Sequence, residues 1–380
     1  MSQRYLDVHV LQSVPPSNLN RDDAGSPKQA IYGGVTRARV SSQAWKRATR
    51  VAFADHLAKE DLGTRTKRLH ALIAGRLANR AGLDTDAAGR LTRVLLETGL
   101  AIKAGKKETE LSYLLFLGYQ QVEAIVDLLA GDAAVLVEMS DAELSQRLKD
   151  IGKQVAPALQ SGHPIDVALF GRMVADLSNL NVDAAAQVAH ALSTHAVQTE
   201  FDYFTAVDDE NKESAGAAMI GSVEFTSATL YRFATVGVDQ LTKNLDGDIG
   251  AARAALRLFV SCFVRSMPTG HITSFAHRTV PELVALVVRD DQPVNLVSAF
   301  ETPVRSSRDG HARESARLLA VELGDATTMW GLTPQSVHAT YSAALGELTS
   351  MGAPVAFDDA VDGAVASAFD AAPVAAGATA

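Results

Sequence analysis

Three groups of residues in this 380-residue chain could do chemistry. Asp22 and Asp23 are adjacent acids in a proline- and glycine-bearing stretch, and carboxylate oxygens are hard donors suited to Mg²⁺ and to metal-assisted RNA cleavage. Their other reading is as solvated loop acids that pair with Arg21 or Lys28. The histidines His190 and His195, and His271 and His277, are spaced by five and six residues. Neither pair has the spacing that puts two ligands on one helical face, so ordinary polar or packed histidines are expected, with no metal and no cofactor. The third group is basic: between Ala24 and Ala54 there is no Asp or Glu, but Lys28, Arg37, Arg39, Lys46, Arg47 and Arg50 are all present.

That local excess stands in a chain with 35 Lys and Arg against 44 Asp and Glu, a net charge of −9. The surface as a whole does not attract phosphate. A local basic site is still compatible with this balance, because exposed charges more than about 8–10 Å apart are largely screened at physiological salt. Ser41 or Ser42 suits the N-cap of a helix beginning near Gln43, in which Trp45, Ala48, Val51 and Ala52 recur at helical spacing. Lys46, Arg47 and Arg50 share the opposite side. Serine hydroxyls and backbone N–H groups at a helix start, with Lys46 one turn further in, make a phosphate-binding arrangement. A basic helical face that is merely solvated gives the same pattern. Phe201, Tyr203 and Phe204 in "FDYFTAV" would stack on bases if exposed and would be core if buried.

Other chemistries leave no mark. There is no GxxxxGK[ST] phosphate loop, no strand-linked GxGxxG and no GxSxG elbow, so a nucleotide-hydrolysing engine is not expected. A Ser/His/Asp site stays open, since its members meet in space and not in order. Cys262 is the single cysteine, and the apolar "LFVSCFVRSM" around it reads as a buried thiol.

The elements that must position these residues follow from pattern. With 47% hydrophobic and 21% charged residues the chain is of ordinary globular composition, and its length argues for two or three domains or one with large insertions. Leu6, Val8 and Val10 alternate with Asp7 and His9 as in a half-buried strand. "PPSNLNRDDAGSPKQAIYGG" reads as a long loop, and Arg37 to Val40 as a short strand. Residues 56–160 read almost wholly as helix. "PIDVALFGRM" reads as an apolar strand entering a glycine turn, and "DAAAQVAHALSTHAVQ" as helix and then extended chain. "TEFDYFTAVDD" and "VEFTSATLYRFATVGV" read as paired strands, joined by an exposed "DENKESAGAAMIG". A helix at 249–266 leads to a loop with Pro268 and Gly270, and then "ELVALVVRD" reads as a buried strand. The alanine-rich end beyond Asp370 is expected to fray. "MSQRYLDVHVLQSV" lacks a leader pattern and no apolar run nears roughly 20 residues, so a cytoplasmic chain with no membrane segment is expected.

The blocks "LDVHVLQSVPPSNLNRDDAGSPKQAIYGGVTRARVSSQAWKRATR", "ALFGRM" and "HALSTHAVQTEFDYFTAVDD" resemble the backbone subunit of the type I-E CRISPR surveillance complex Cascade, the CasC family. The resemblance implies an α+β fold with an RRM-like (ferredoxin-like) palm over 1–55 and 165–370. It further implies a helical fingers insertion over 56–164, a β-hairpin thumb over 195–232 and a flexible tail over 371–380. It implies a non-catalytic subunit that stacks head to tail along a CRISPR guide RNA and holds the guide for pairing with target DNA in antiviral defence. The implied partners are the guide RNA, target DNA through the guide, other copies of the chain and other Cascade subunits. On the residues that match, Asn20, Arg21 and Lys28 in and beyond the first loop, and Ser41, Ser42, Gln43, Lys46, Arg47 and Arg50 at the helix start, would contact guide RNA. Tyr203, Phe204 and Thr205 match thumb residues that wedge at a kinked nucleotide, with Met173 as an apolar partner. The loop at Gly270 and His271 aligns poorly with a glycine-bearing loop of the family. Val35 and Thr36 stand where relatives can be basic, which implies fewer phosphate contacts there. The competing readings are a metal-dependent endoribonuclease using Asp22 or Asp23, and a scaffold that binds only protein.

Overall fold

The computed structural model describes residues 3–102, 104, 105, 107, 110–174, 177–206 and 219–370. The chain opens with β1 (Tyr5–Ser17), β2 (Gln29–Tyr32), β3 (Val35–Val40) and α1 (Ser42–Ala52). Next come β4 (Gly63–Thr66), α2 (Leu69–Ala81), α3 (Thr85–Val94), β5 (Leu115–Gly118), α4 (Tyr119–Ala130), α5 (Ala133–Glu138), α6 (Asp141–Gln160) and α7 (Ile165–Phe170). Then follow β6 (Ala186–Val188), β7 (Ala191–Ser193), β8 (Glu200–Ala206), β9 (Met219–Gly237), α8 (Val238–Asn244), α9 (Ile249–Arg265) and α10 (Ile272–Phe275). β10 (Leu283–Arg289), α11 (Ala312–Trp330), β11 (Ser336–Tyr341) and α12 (Phe357–Phe369) complete the order. The chain divides into one unit of 1–52, 187–238 and 256–380, and a second of 53–186 and 239–255.

The first unit is built on an antiparallel sheet of order β11-β10-β1-β9-β7-β3-β2. Residues directly opposite in such a ladder point to the same face. Leu11, Tyr231, Phe233, Leu283, Ala285 and Ala339 share one face and pack with Leu319 and Leu323 of α11. On the other face Val10 lies opposite Arg232, whose guanidinium sits over the Trp45 ring of α1 at 3.8 Å and donates from Nη1 to Gln12 Oε1 at 2.6 Å. Arg232 also donates from Nη2 to the Phe263 carbonyl of α9. Helices therefore cover both faces, and Asp7 and His9 are as fully buried as Leu6 and Val8. This corrects the half-buried reading of the first strand: alternation there records which polar side chains find buried partners. Asp7 pairs with Arg289 at 3.2 Å and accepts from the Val294 amide, while His9 Nδ1 meets the Tyr231 hydroxyl at 2.9 Å.

The second unit is mainly helical. Leu69, Ile73, Leu77, Leu91, Val122, Ile125, Leu144, Leu148, Ile151 and Val155 form its core at helical spacing. It is not wholly helical, because β4 and β5 pair antiparallel, with Thr64 opposite Leu117.

Three other sequence expectations differ. "PIDVALF" is helical, as α7, and not a strand; a short apolar run has no periodicity that separates the two. Its Asp166 is fully buried and accepts the Gly63 amide at 2.9 Å. "DAAAQVAHALS" forms the short strands β6 and β7 where helix was expected, since pairing with β9 overrides alanine's helix preference. β1 runs through Pro15 and Pro16 to Ser17, with its register shifting between Val14 and Ser17 where the prolines supply no N–H. The connection between β8 and β9, residues 207–218, and the alanine-rich tail, residues 371–380, lie outside the described residues. Among the described residues no helix is long and apolar enough to cross a membrane.

Candidate nucleic-acid interface

The candidate site lies on the first unit, where β1 ends. Asn18 is fully buried and donates from Nδ2 to the Gly25 carbonyl at 3.0 Å and to the Glu224 carbonyl of β9 at 2.9 Å. One side chain thus folds the first loop on itself and ties it to the sheet. Asp22 Oδ1 accepts from the amides of Ala24 and Ser26, each at 2.9 Å, and Gly25 takes the positive φ of 92° that closes the turn. Lys28 N donates to the Asn20 carbonyl at 2.9 Å, so Asn20, Arg21 and Lys28 stand on a braced loop.

Asn20 then joins the loop to α1. Its Oδ1 accepts the Ser41 amide at 2.9 Å, and Ser41 Oγ accepts the Ala44 amide at 3.3 Å as the helix cap. Ser41 is buried, with both of these groups engaged in fastening the helix start. Trp45 and Thr49 form the buried side of α1; Gln43 and Arg47 are exposed, while Ser42, Lys46 and Arg50 are half-buried. Val51, read as part of the apolar side, is 63% exposed.

The basic stretch splits by position. Arg37 is fully buried and donates to the carbonyls of Tyr32 at 3.1 Å, Ser193 at 2.9 Å and Phe300 at 2.7 Å. It is a structural hub inside the unit and adds nothing to the exposed basic surface. Arg39 is half-buried, with Nε on the Gln29 carbonyl and Nη1 3.2 Å from His190 Nδ1. His190 is held below its usual pKa by partial burial and then by the charges of Arg39 and Lys28, which marks the local field as positive. His195 lies elsewhere, stacked on His311 with ring centroids 3.8 Å apart.

Sequence reasoning gave less weight to the loop after α9. A Cβ on Gly270 would come within 2.5 Å of the Asn18 and Leu19 carbonyl oxygens, so only glycine lets this loop press against the first one. His271 follows at φ 49°, and its Nε2 lies 3.2 Å from Arg21 Nη1. A guanidinium only donates, so Nε2 is the acceptor in this contact. Leu19, Asn20, Arg21, Asp22, Asp23, Gly25 and Gly270 line an open pocket of about 490 Å³. The signal for this juxtaposition was the glycine itself, in a loop otherwise rich in turn residues.

The paired strands β8 and β9 supply the aromatic part. β9 has 19 residues: Thr226 to Gly237 pair with β1, while Met219 to Phe225 pair with β8. Along β8, Phe201, Tyr203 and Phe204 are 69%, 63% and 42% exposed, and Thr205 is exposed. The core reading of these aromatics is thereby excluded. Phe204 lies opposite Gly221, where any side chain would overlap its ring. Met173 belongs to the second unit and is 84% exposed, between buried Arg172 and Val174. Arg172 donates to the Leu180 and Leu159 carbonyls, each at 2.6 Å, which fixes the segment that presents Met173. Among the described residues no group of three or more His, Cys, Asp or Glu could hold a metal ion.

These features define an α+β protein whose sheet carries a basic loop-and-helix surface and exposed aromatics. The chain belongs to the CT1975-like protein family, whose model matches residues 6–362. It is similar to a chain of a solved structure described as a CRISPR RNA-guided surveillance complex, pre-nicking, with 32% identity, a TM-score of 0.82, and 96% of this chain and 100% of that chain covered. A second structure, described as a CRISPR RNA-guided surveillance complex, matches at 28% identity and a TM-score of 0.73, with 95% of this chain and 99% of the other covered. No protein with a curated description matches the chain.

Proposed function

We propose that this chain is a non-catalytic backbone subunit of a type I-E CRISPR surveillance complex, polymerising head to tail in the cytoplasm along a guide RNA. The observation that carries the reading is the 32% identity along 96% of the chain to a chain of a CRISPR RNA-guided surveillance complex. Strand order β10-β1-β9-β7, with α1 and α9 in the connections, supports an RRM-like (ferredoxin-like) palm over 1–55 and 165–370. The β8–β9 pair serves as the thumb within 195–232, and the mainly helical 56–164 as the fingers. Asn20, Arg21, Lys28, Ser42, Gln43, Lys46, Arg47 and Arg50 grip the sugar-phosphate backbone. Ser41 holds the loop and helix in register. Tyr203, Phe204 and Thr205 wedge at a displaced base, and Met173, on the second unit, is an apolar contact to the RNA. Such a grip is blind to sequence, so the bases between wedges remain free to pair with target DNA.

Charge reversal at Lys46 and Arg50 is expected to abolish guide retention in purified complexes; wild-type RNA stoichiometry in that variant would refute the palm assignment. Nuclease digestion of the wild-type assembly is expected to leave RNA in a ladder of constant step, whereas no protected RNA would point to a scaffold that binds only protein. The non-catalytic reading is supported by Asp22, whose Oδ1 already braces its own loop. Incubation of labelled RNA with Mg²⁺ or Mn²⁺ is expected to give no cleavage, and metal-dependent cutting lost in Asp22→Ala or Asp23→Ala would establish the endoribonuclease instead.

A further inference from the structure

We infer that Phe225 and Phe275, with His271 between the rings and Arg21, form a second base-stacking platform at the foot of the β8–β9 pair. This inference rests on the RNA-binding reading and adds to it a site for one nucleobase of a single strand. Phe225, at the end of the part of β9 that pairs with β8, and Phe275, at the end of α10, are both half-buried. Their ring centroids lie 5.8 Å apart at 50°. His271 meets Phe275 edge-on, with centroids 6.2 Å apart at 76°, and its Nε2 lies 3.2 Å from Arg21 Nη1.

Two constraints hold this group beside the basic loop. Asn18, buried in the first loop, donates to the Glu224 carbonyl immediately before Phe225. Gly270 presses on the Asn18 and Leu19 carbonyls, which sets the start of the segment that carries His271 and Phe275. The aromatic group is therefore continuous with Arg21 and with the open pocket that Arg21 and Gly270 line. A cationic guanidinium beside partly exposed rings suits a nucleotide, with its phosphate toward Arg21 and its base on the rings. A purely apolar ligand would leave the guanidinium unused. An aromatic side chain within a peptide offers the rings a partner but brings no anion of its own for Arg21.

The test uses the full chain and two fluorescent oligomers of equal length, a single-stranded RNA containing 2-aminopurine and an abasic analogue of the same backbone. Replacing both Phe225 and Phe275 with Leu is expected to weaken RNA binding roughly tenfold or more and to reduce 2-aminopurine quenching, with abasic affinity unchanged. Phe275→Tyr, which keeps a stacking ring, is expected to retain wild-type affinity and quenching. Unchanged RNA affinity in the double variant would overturn the platform. Equal losses for RNA and the abasic oligomer in both variants would assign the rings a structural role and also overturn it. Failure of the wild-type chain to bind either oligomer would instead refute the RNA-binding reading, and the platform with it.

Discussion

At the scale of the residue, burial decides what each polar group does. Arg37 and Lys46 belong to the same acid-free stretch, yet one holds four carbonyls inside the unit and the other is half-buried on α1. Composition could not separate them, because a carbonyl hub and a phosphate contact both call for a cation. The same logic governs the buried titratable pair on β1. Burial lowers His9 to about 3, assisted by the charge of Arg289, and raises Asp7 to about 6 against the pull of Val294, Thr235 and Arg289. For His9, the unfolded chain takes up a proton below about pH 6.5 while the folded chain does not, so its stabilisation is lost as pH falls toward 3. Asp7 works the other way: between about pH 6 and 3.8 the folded chain holds the extra proton, so acidification stabilises it. Denaturant titrations at pH 7 and pH 5 are expected to show less acid loss in His9→Gln and more in Asp7→Asn. Each change should be about 1–2 kcal/mol. Shifts of the same sign in both variants would contradict these protonation states.

At the scale of the element, close approaches fix the arrangement of short pieces. Gly33 and Gly34 make the two-residue turn between β2 and β3, with φ of 58° and 76° as a primed hairpin turn requires. A Cβ on Gly33 would overlap the Glu301 carbonyl oxygen, whereas a Cβ on Gly34 meets nothing. Gly34→Ala is therefore expected to cost only the left-handed backbone penalty, about 1–2 kcal/mol, and Gly33→Ala clearly more. Equal thermal shifts in the two variants would contradict the packing of this turn. The α1 cap, the β8–β9 pair and the buried β10 were legible in local pattern. Strand β7 and helix α7 were not, because a three-residue strand is stabilised by its neighbours and a six-residue apolar helix carries less than two turns of periodicity.

At the scale of the whole molecule, a chain of net charge −9 carries a concentrated basic surface, and the two act over different distances. Bulk repulsion of a nucleic acid is screened within about a Debye length, while the phosphate contacts proposed at Lys28, Lys46 and Arg50 would release counterions directly. The logarithm of RNA affinity is expected to fall linearly with the logarithm of salt, by about 0.7 per phosphate neutralised on a single strand. Lys46→Gln should reduce that slope by roughly one such step. Asp358→Asn with Asp359→Asn, on α12, should leave it unchanged; a slope that follows net charge regardless of position would refute a local site.

The sequence by itself determined what depends on neighbours along the chain. The alternation of β1, the serine cap of α1, the absence of acid from Ala24 to Ala54 and the aromatic run of β8 are all visible in short windows. Tertiary structure decided what depends on partners hundreds of positions away: Asn18 on Glu224, Gly270 against Leu19, His271 beside Arg21, and the withdrawal of Arg37 into the unit. The physical reason is that periodicity reports which face of an element is apolar. Which distant carbonyl or ring meets a given polar side chain is set only when the sheet closes.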